Sequence, residues 1–295
     1  MTTGQQWDIV TSVGLTALGV AAARALETHR EDRLMSDPFA AAFVKAADAP
    51  APMPTSPEEV AQLPDDSIWA QAKMEDYMGV RSRCFDDFFA AAGEAGVRQV
   101  VILASGLDAR AHRLDWAAGT TVFEIDQPKV LEFKQTVLDG LGAAPKCGHR
   151  PVPIDLREDW SSALTEAGFE TEVPTAWLAE GLLPYLPPDA EQQLLTTIDR
   201  LSTFGSRLAV EDFNDVRRLF EDEDLADFGQ EWGLDMRDLL HSDDRPEAPD
   251  VLRGLGWKTE VEGAEAKARG YGRDLSGMFG EMADASRFVE AHKAA

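Results

Sequence analysis

Four short segments carry side chains whose types and spacing could do chemistry: Ser105-Gly106-Leu107-Asp108, Glu124-Ile125-Asp126, Ile154-Asp155-Leu156 and Ala179-Glu180-Gly181. Each follows an apolar run, so each is expected at the carboxyl end of a strand, where a parallel sheet opens into a ligand crevice. Three of these ends present a carboxylate at the point where the chain turns away. A buried carboxylate without partners costs several kcal/mol, so acids gathered at one sheet edge call for a cationic or polyhydroxylated ligand. A single Asp there can simply cap a helix; a set of such acids is harder to explain that way. Asp126 lies 20 residues after Gly106, the separation at which an acid reaches a ribose diol. The small residues Ala104-Ser105-Gly106 let backbone N–H groups approach a ligand closely. Together these features predict a nucleoside site.

The glycine turn is a poor dinucleotide loop. Where GxGxxG is required, this chain has Ala104, Gly106 and Ala109, and Asp108 would oppose a pyrophosphate. No Tyr-x-x-x-Lys pair supports an NAD-dependent oxidoreductase either. A mononucleoside with a positive centre suits the acids better, and S-adenosylmethionine has a ribose diol, an adenine edge, a sulfonium and a zwitterionic amino-acid end. Neither a Ser-His-Asp nor a Cys-His arrangement is evident. Of five histidines, only His112 falls close behind the glycine turn, where packing is the expected role. Two cysteines, Cys84 and Cys147, are too few for a disulfide framework or a zinc site, and no metal is expected.

The elements that must hold these segments follow from hydrophobic pattern. Strands are predicted at 99–104, 120–125, 149–154, 174–180, 206–211, 256–262 and 286–292, with helices over Gln127–Leu141, Ser161–Ala167 and Asp189–Thr203. This alternation implies an α/β fold: a Rossmann-like, mostly parallel sheet whose last two strands could close an antiparallel edge hairpin. Ahead of it, Thr11 to Glu31, Ala40 to Ala47 and Ile68 to Ala92 read as helices. Ala49 to Pro64, with five prolines, reads as a loop or hinge. The expected organisation is a helical N-terminal lid over residues 1–95 and a ligand-binding domain over 96–295. An acidic insertion near 213–250 interrupts the latter.

Composition bounds the partners. The 295 residues carry 28 basic and 53 acidic side chains, a formal charge of −25, which repels nucleic acid and anionic lipid surfaces. The uncharged stretch Ile9 to Ala23 spans only 15 residues and lacks a basic leader, so it is expected as a packed helix rather than a membrane span or signal. A cytoplasmic protein is expected; composition sets no oligomeric state.

Several further segments resemble one family. They are Leu15 to Arg24, Asp37-Pro38-Phe39, Arg81-Ser82-Arg83 before Phe85-Asp86-Asp87-Phe88, Leu103 to Leu114, Glu124 to Pro128, Asp155-Leu156 and Trp177 to Leu186. The chain resembles, along nearly its whole length, the S-adenosylmethionine-dependent methyltransferases related to leucine carboxyl methyltransferases. The resemblance implies a class I methyltransferase sheet with S-adenosylmethionine as cofactor. It also implies roles: Asp126 on the ribose, with Gln127 beside it, Asp155 on the adenine amino group and the Leu156 N–H on the ring. Arg81 would clamp the methionyl carboxylate, Glu180 would meet the ammonium end or place the acceptor, and Ala104 and Gly106 would line the cofactor loop. Tyr185 would face the acceptor pocket or the core, while Arg110 and Arg113 would pair with neighbouring acids. One departure stands out: Ala104-Ser105-Gly106 replaces the family's Gly-Ala-Gly, adding a methyl beside the cofactor. The expected reaction is O-methyl or carboxyl methyl transfer to an unidentified small molecule. An oxidoreductase on the same sheet and a non-catalytic nucleoside-binding protein are the alternatives.

Overall fold

The structure is a computed structural model describing residues 13–65, 67–71, 74–213, 239–275 and 280–294. Most of the expected acidic insertion, from 214 to 238, lies outside the described residues. The seven predicted strands form as β1 (Gln99–Leu103), β2 (Thr121–Asp126), β3 (Gly148–Pro153), β4 (Thr175–Ala179), β5 (Arg207–Phe213), β6 (Trp257–Gly263) and β7 (Ser286–Lys293). They join one sheet in the order β3-β2-β1-β4-β5-β7-β6. β1 through β5 run parallel, and β7 runs antiparallel to both β5 and β6. The expected antiparallel edge pair therefore exists, with β7 inserted inside β6 so that only β6 stands at the rim. At the other rim, β3 carries Pro151 and Pro153, which an edge strand tolerates because it need not donate on both sides.

Side chains of the central strands alternate between two apolar layers, as the two-residue period of a strand demands. Val101, Leu103, Phe123, Ile125 and Trp177 point to one layer, shared with α8 (Trp160–Glu166) and α9 (Pro188–Arg200). Val100, Ile102, Val122, Ala176 and Leu178 point to the other. That second layer is closed by α1 (Val13–His29), α2 (Ala40–Ala46) and α5 (Met74–Glu94), which contributes Tyr77, Val80, Cys84, Phe85 and Phe88. The N-terminal helices thus share a core with the sheet. The proline-rich stretch expected as a loop or hinge is also tied down. It contains a helical turn, α3 (Pro57–Val60), with Ser56 accepting from the Glu59 N–H at 3.3 Å and the Glu59 carboxylate accepting from the Thr55 N–H at 2.6 Å. Met53 and Thr55 are buried beside it.

One close approach fixes how α1 meets α5. Glu27 on α1 is fully buried; its carboxylate accepts from the Leu34 N–H at 2.6 Å and from Arg273 Nη2 at 3.0 Å. Burial pushes its pKa up to about 7 even so. Gly79 faces it from α5, and a Cβ there would lie 2.7 Å from Glu27 Cδ. A helix-interior glycine ordinarily costs up to ~1 kcal/mol relative to alanine, so Gly79→Ala would stabilise an unconstrained helix. Here Glu27 is held by two partners and cannot withdraw cheaply. Gly79→Ala should instead lower the unfolding free energy by about 2 kcal/mol in urea titrations; a gain in stability would show that Glu27 yields easily.

Candidate functional site

Register brings the chemistry together. Leu103 of β1 pairs with Ile125 of β2 and with Ala179 of β4, and Ala179 pairs with Val210 of β5. The next residue on each strand, Ala104, Asp126, Glu180 and Glu211, therefore emerges at one level of the sheet. β3 pairs Pro153 with Asp126, so Ile154, Asp155 and Leu156 follow at the same end. There the sheet opens into a cavity of 430 Å³. Its walls include Arg81, Ala104, Gly106, Asp108, Asp126, Gln127, Asp155, Leu156, Glu180 and Tyr185, together with Thr16 and Ala17 of α1. Every site residue predicted from sequence lines this single space.

The loop after β1 is bent sharply. Gly106 has φ +49, and Ala104, at φ +48, is the one non-glycine with positive φ among the described residues. The Ser105 N–H donates to Ile125 O at 3.0 Å, and the Gly106 N–H donates to Asp126 Oδ2 at 2.6 Å. The Gln127 N–H donates to Asp126 Oδ1, also at 2.6 Å. Asp126 is thereby clamped on both oxygens by backbone. Burial pushes its carboxyl up, with those two N–H groups opposing the shift.

A buried ion cluster that the sequence reading did not anticipate supports this loop from beneath. Glu124 of β2 lies 2.7 Å from Lys134 Nζ and 3.0 Å from His149 Nε2. Lys134, on α7 (Pro128–Gly140), also donates to Ser105 Oγ at 3.3 Å and Asp108 O at 3.1 Å. Burial alone would raise the Glu124 carboxyl; Lys134 and His149 outweigh it and hold it below the ordinary range. His112 is buried, with its ring edge-on to those of Phe39 and His149. Burial and the neighbouring His149 push its pKa down. It packs behind the loop and is not among the cavity's lining residues.

One expectation needs correcting. The case for a cationic ligand rested on uncompensated acids, yet each acid has a partner within the protein. Asp155 accepts from Arg157 Nε at 2.9 Å and Nη2 at 2.5 Å, and from Gln127 Nε2 at 3.2 Å. Glu180 lies between Arg81 Nε at 2.9 Å and Arg110 Nη1 at 2.7 Å. Arg110 also engages Asp108 and Asp86, and Asp86 holds Arg113 at 2.6 Å, the pairing expected for both arginines. Glu211, absent from the sequence-based set, accepts from Tyr77 Oη at 2.6 Å, Arg81 Nη1 at 3.1 Å and the Gly181 N–H at 2.7 Å. Its only signal in the sequence was an acid at the end of the strand predicted at 206–211. Compensated acids no longer demand a cationic ligand; their common position and the fixed orientation of Asp126 are what remain.

Comparison with known proteins agrees with this geometry. The family described as leucine carboxyl methyltransferase matches residues 17–199. A Saccharopolyspora erythraea protein named "Putative S-adenosyl-L-methionine-dependent methyltransferase" is 49% identical over 293 residues, covering 99% of this chain and 100% of its own length. A Mycobacterium avium protein of the same name is 46% identical, covering 99% of this chain and 94% of its own. Among solved structures, the crystal structure of a "putative methyltransferase" from Thermobifida fusca shares the fold at TM-score 0.55 and 17% identity, covering 95% of this chain and 94% of that one.

The arginine network also makes a pH prediction. Burial would raise the Asp108 carboxyl, but Arg110, Arg113 and Lys134 hold it at about 2, against an ordinary 3.8. A depressed folded-state pKa stabilises the protein above the unfolded value, and this contribution disappears as pH falls from about 4 towards 2. Asp108→Asn should therefore cost about 2 kcal/mol of unfolding free energy at pH 7, with the difference from wild type shrinking towards zero near pH 2. An equal loss at both pH values would assign the effect to packing instead.

Proposed function

The chain belongs to the leucine carboxyl methyltransferase family and is an S-adenosylmethionine-dependent methyltransferase; from that premise we propose that it methylates an oxygen of a small molecule in the cavity above β1, β2 and β4. The carrying observation is the clamped Asp126 carboxylate on the cavity wall, whose remaining lone pairs match a vicinal ribose diol. Asp155 and the Leu156 N–H would read the adenine edge, with Arg157 fixing the carboxylate and Gln127 bridging Asp155 to the ribose side. Ala104 and Gly106 would give the close backbone approach. Arg81 contacts Glu180 and Glu211 through Nε and Nη1, so Nη2 would meet the methionyl carboxylate. Glu180, already shared between two arginines, would receive the ammonium end.

When bound, S-adenosylmethionine supplies a methyl group already activated on a sulfonium. The chain's own task is alignment and exclusion of water, and proximity can contribute on the order of 7–11 kcal/mol. The net charge of −25 favours the approach of this cationic cofactor at long range. Helix α1 would cover the cavity, and the loops that follow β1 to β4, with Arg81 of α5, would hold the cofactor. The unpaired thiols of Cys84 and Cys147 support a cytoplasmic setting.

Calorimetry tests this reading. S-adenosylhomocysteine should bind at micromolar concentrations and NADH should not. Asp126→Ala should weaken the former by roughly 30-fold, about 2 kcal/mol, while the thermal transition stays cooperative. Binding of NADH in preference to S-adenosylhomocysteine would end the methyltransferase assignment.

A further inference from the structure

Two side chains of the cavity wall, Arg81 and Glu180, are aimed by a third that stands behind it. Glu211, near the end of β5, is 1% exposed and is not among the lining residues. Tyr77 and Arg81 lie four residues apart on α5, so both leave one face of that helix, and both reach Glu211. Tyr77 Oη donates to Glu211 Oε1 at 2.6 Å, and Arg81 Nη1 donates to Oε2 at 3.1 Å and to Oε1 at 3.3 Å. Oε2 also accepts from the Gly181 N–H at 2.7 Å. Gly181 directly follows Glu180 and has φ +60, a conformation glycine adopts with little strain. One buried carboxylate therefore holds the Arg81 guanidinium and, beside it, the turn that carries Glu180.

These contacts share a direction: in each of them Glu211 accepts. Tyr77 stays a donor, because burial and the adjacent Glu211 charge push its phenol pKa up, and Ser286 Oγ completes its hydrogen bonding. Burial would lower the Arg81 pKa, but Glu211 and then Glu180 outweigh it and keep the guanidinium charged. An amide at position 211 would have one acceptor oxygen in place of two and would turn N–H donors towards groups that already donate. Resting on the methyltransferase reading, we infer that Glu211 is a positioning residue for the amino-acid end of the cofactor. It aims Arg81 at the methionyl carboxylate and Glu180 at the ammonium, and so makes the site selective for adenosyl ligands that carry that end. The nucleoside half is held by a separate set of contacts: Asp126 is fixed by the Gly106 and Gln127 N–H groups, and Asp155 by Arg157 and Gln127. The two halves of the ligand should respond separately to a change at Glu211.

Two ligands distinguish the halves: S-adenosylhomocysteine, and 5′-methylthioadenosine, which keeps the nucleoside and the thioether but lacks the amino-acid end. Each is titrated calorimetrically into the full chain. Glu211→Gln, nearly equal in shape, should weaken S-adenosylhomocysteine by about tenfold and change methylthioadenosine by less than about twofold. Tyr77→Phe keeps the Glu211 charge and removes one donor that orients it. This variant should weaken S-adenosylhomocysteine by about threefold, again with methylthioadenosine unmoved. Equal losses for both ligands would assign Glu211 to the general stability of the fold. Unchanged or tighter binding of S-adenosylhomocysteine to Glu211→Gln would mean that Arg81 and Glu180 need no such hold. Either result overturns the inference. Should Glu211→Gln lose its cooperative thermal transition, the same comparison on Tyr77→Phe decides. Failure of S-adenosylhomocysteine to bind the wild-type chain would instead remove the methyltransferase reading beneath it.

Discussion

Parallel pairing in near-equal register is the constraint on which the site depends. Because Leu103, Ile125, Ala179 and Val210 lie abreast, the residues that follow them leave the sheet at one level. A slip of one residue would turn each side chain to the opposite face and put Ile125 and Ala179, or Gln127 and Gly181, where Asp126 and Glu180 now stand. The two apolar layers forbid that slip, since it would expose Val100, Ile102, Val101 and Leu103 to the wrong neighbours. Core packing and site geometry are thus specified by the same alternation.

Charge is then arranged on this frame as a chain of alternating signs: Asp86 with Arg113 and Arg110, Arg110 with Asp108 and Glu180, Glu180 with Arg81, and Arg81 with Glu211. Burying so many ions is favourable only when every member has a partner, because desolvating each one costs several kcal/mol. Removing one link would strand its neighbours in low dielectric. The consequence for function is preorganisation: Arg81 and Glu180 are oriented before any ligand arrives, so little ordering remains to be done on binding. Tyr77, reaching Glu211 from α5, ties this chain to the N-terminal helices.

Much of this was legible in the residues. All seven strands could be read from short apolar runs, and Asp126, Asp155 and Glu180 from their position just after three of them. What could not be read is pairwise. Arg157 lies two residues from Asp155, yet nothing in that spacing says that its guanidinium will fold back on the carboxylate. Lys134 and Glu124 look like an ordinary helix lysine and an edge-strand acid; only packing α7 against β2 joins them. Glu211 is placed by its contact with Tyr77, 134 residues away. Strand order failed in a similar way, since alternation predicts an antiparallel edge pair but not that β7 enters between β5 and β6.

Ala104 shows how the frame and the ligand site constrain one another. A left-handed backbone at a residue with a Cβ costs roughly 1–2 kcal/mol, which glycine would avoid. The conformation persists because the next two N–H groups are already committed, Ser105 to the Ile125 carbonyl and Gly106 to Asp126. Relaxing Ala104 into an ordinary region would swing both away and release the Asp126 carboxylate. The strain at Ala104 is therefore sustained by the hydrogen bonds that hold Asp126, and Ala104, with its methyl, belongs to the cavity wall. Any cofactor bound here must accommodate that methyl without displacing the loop, since the loop cannot shift alone.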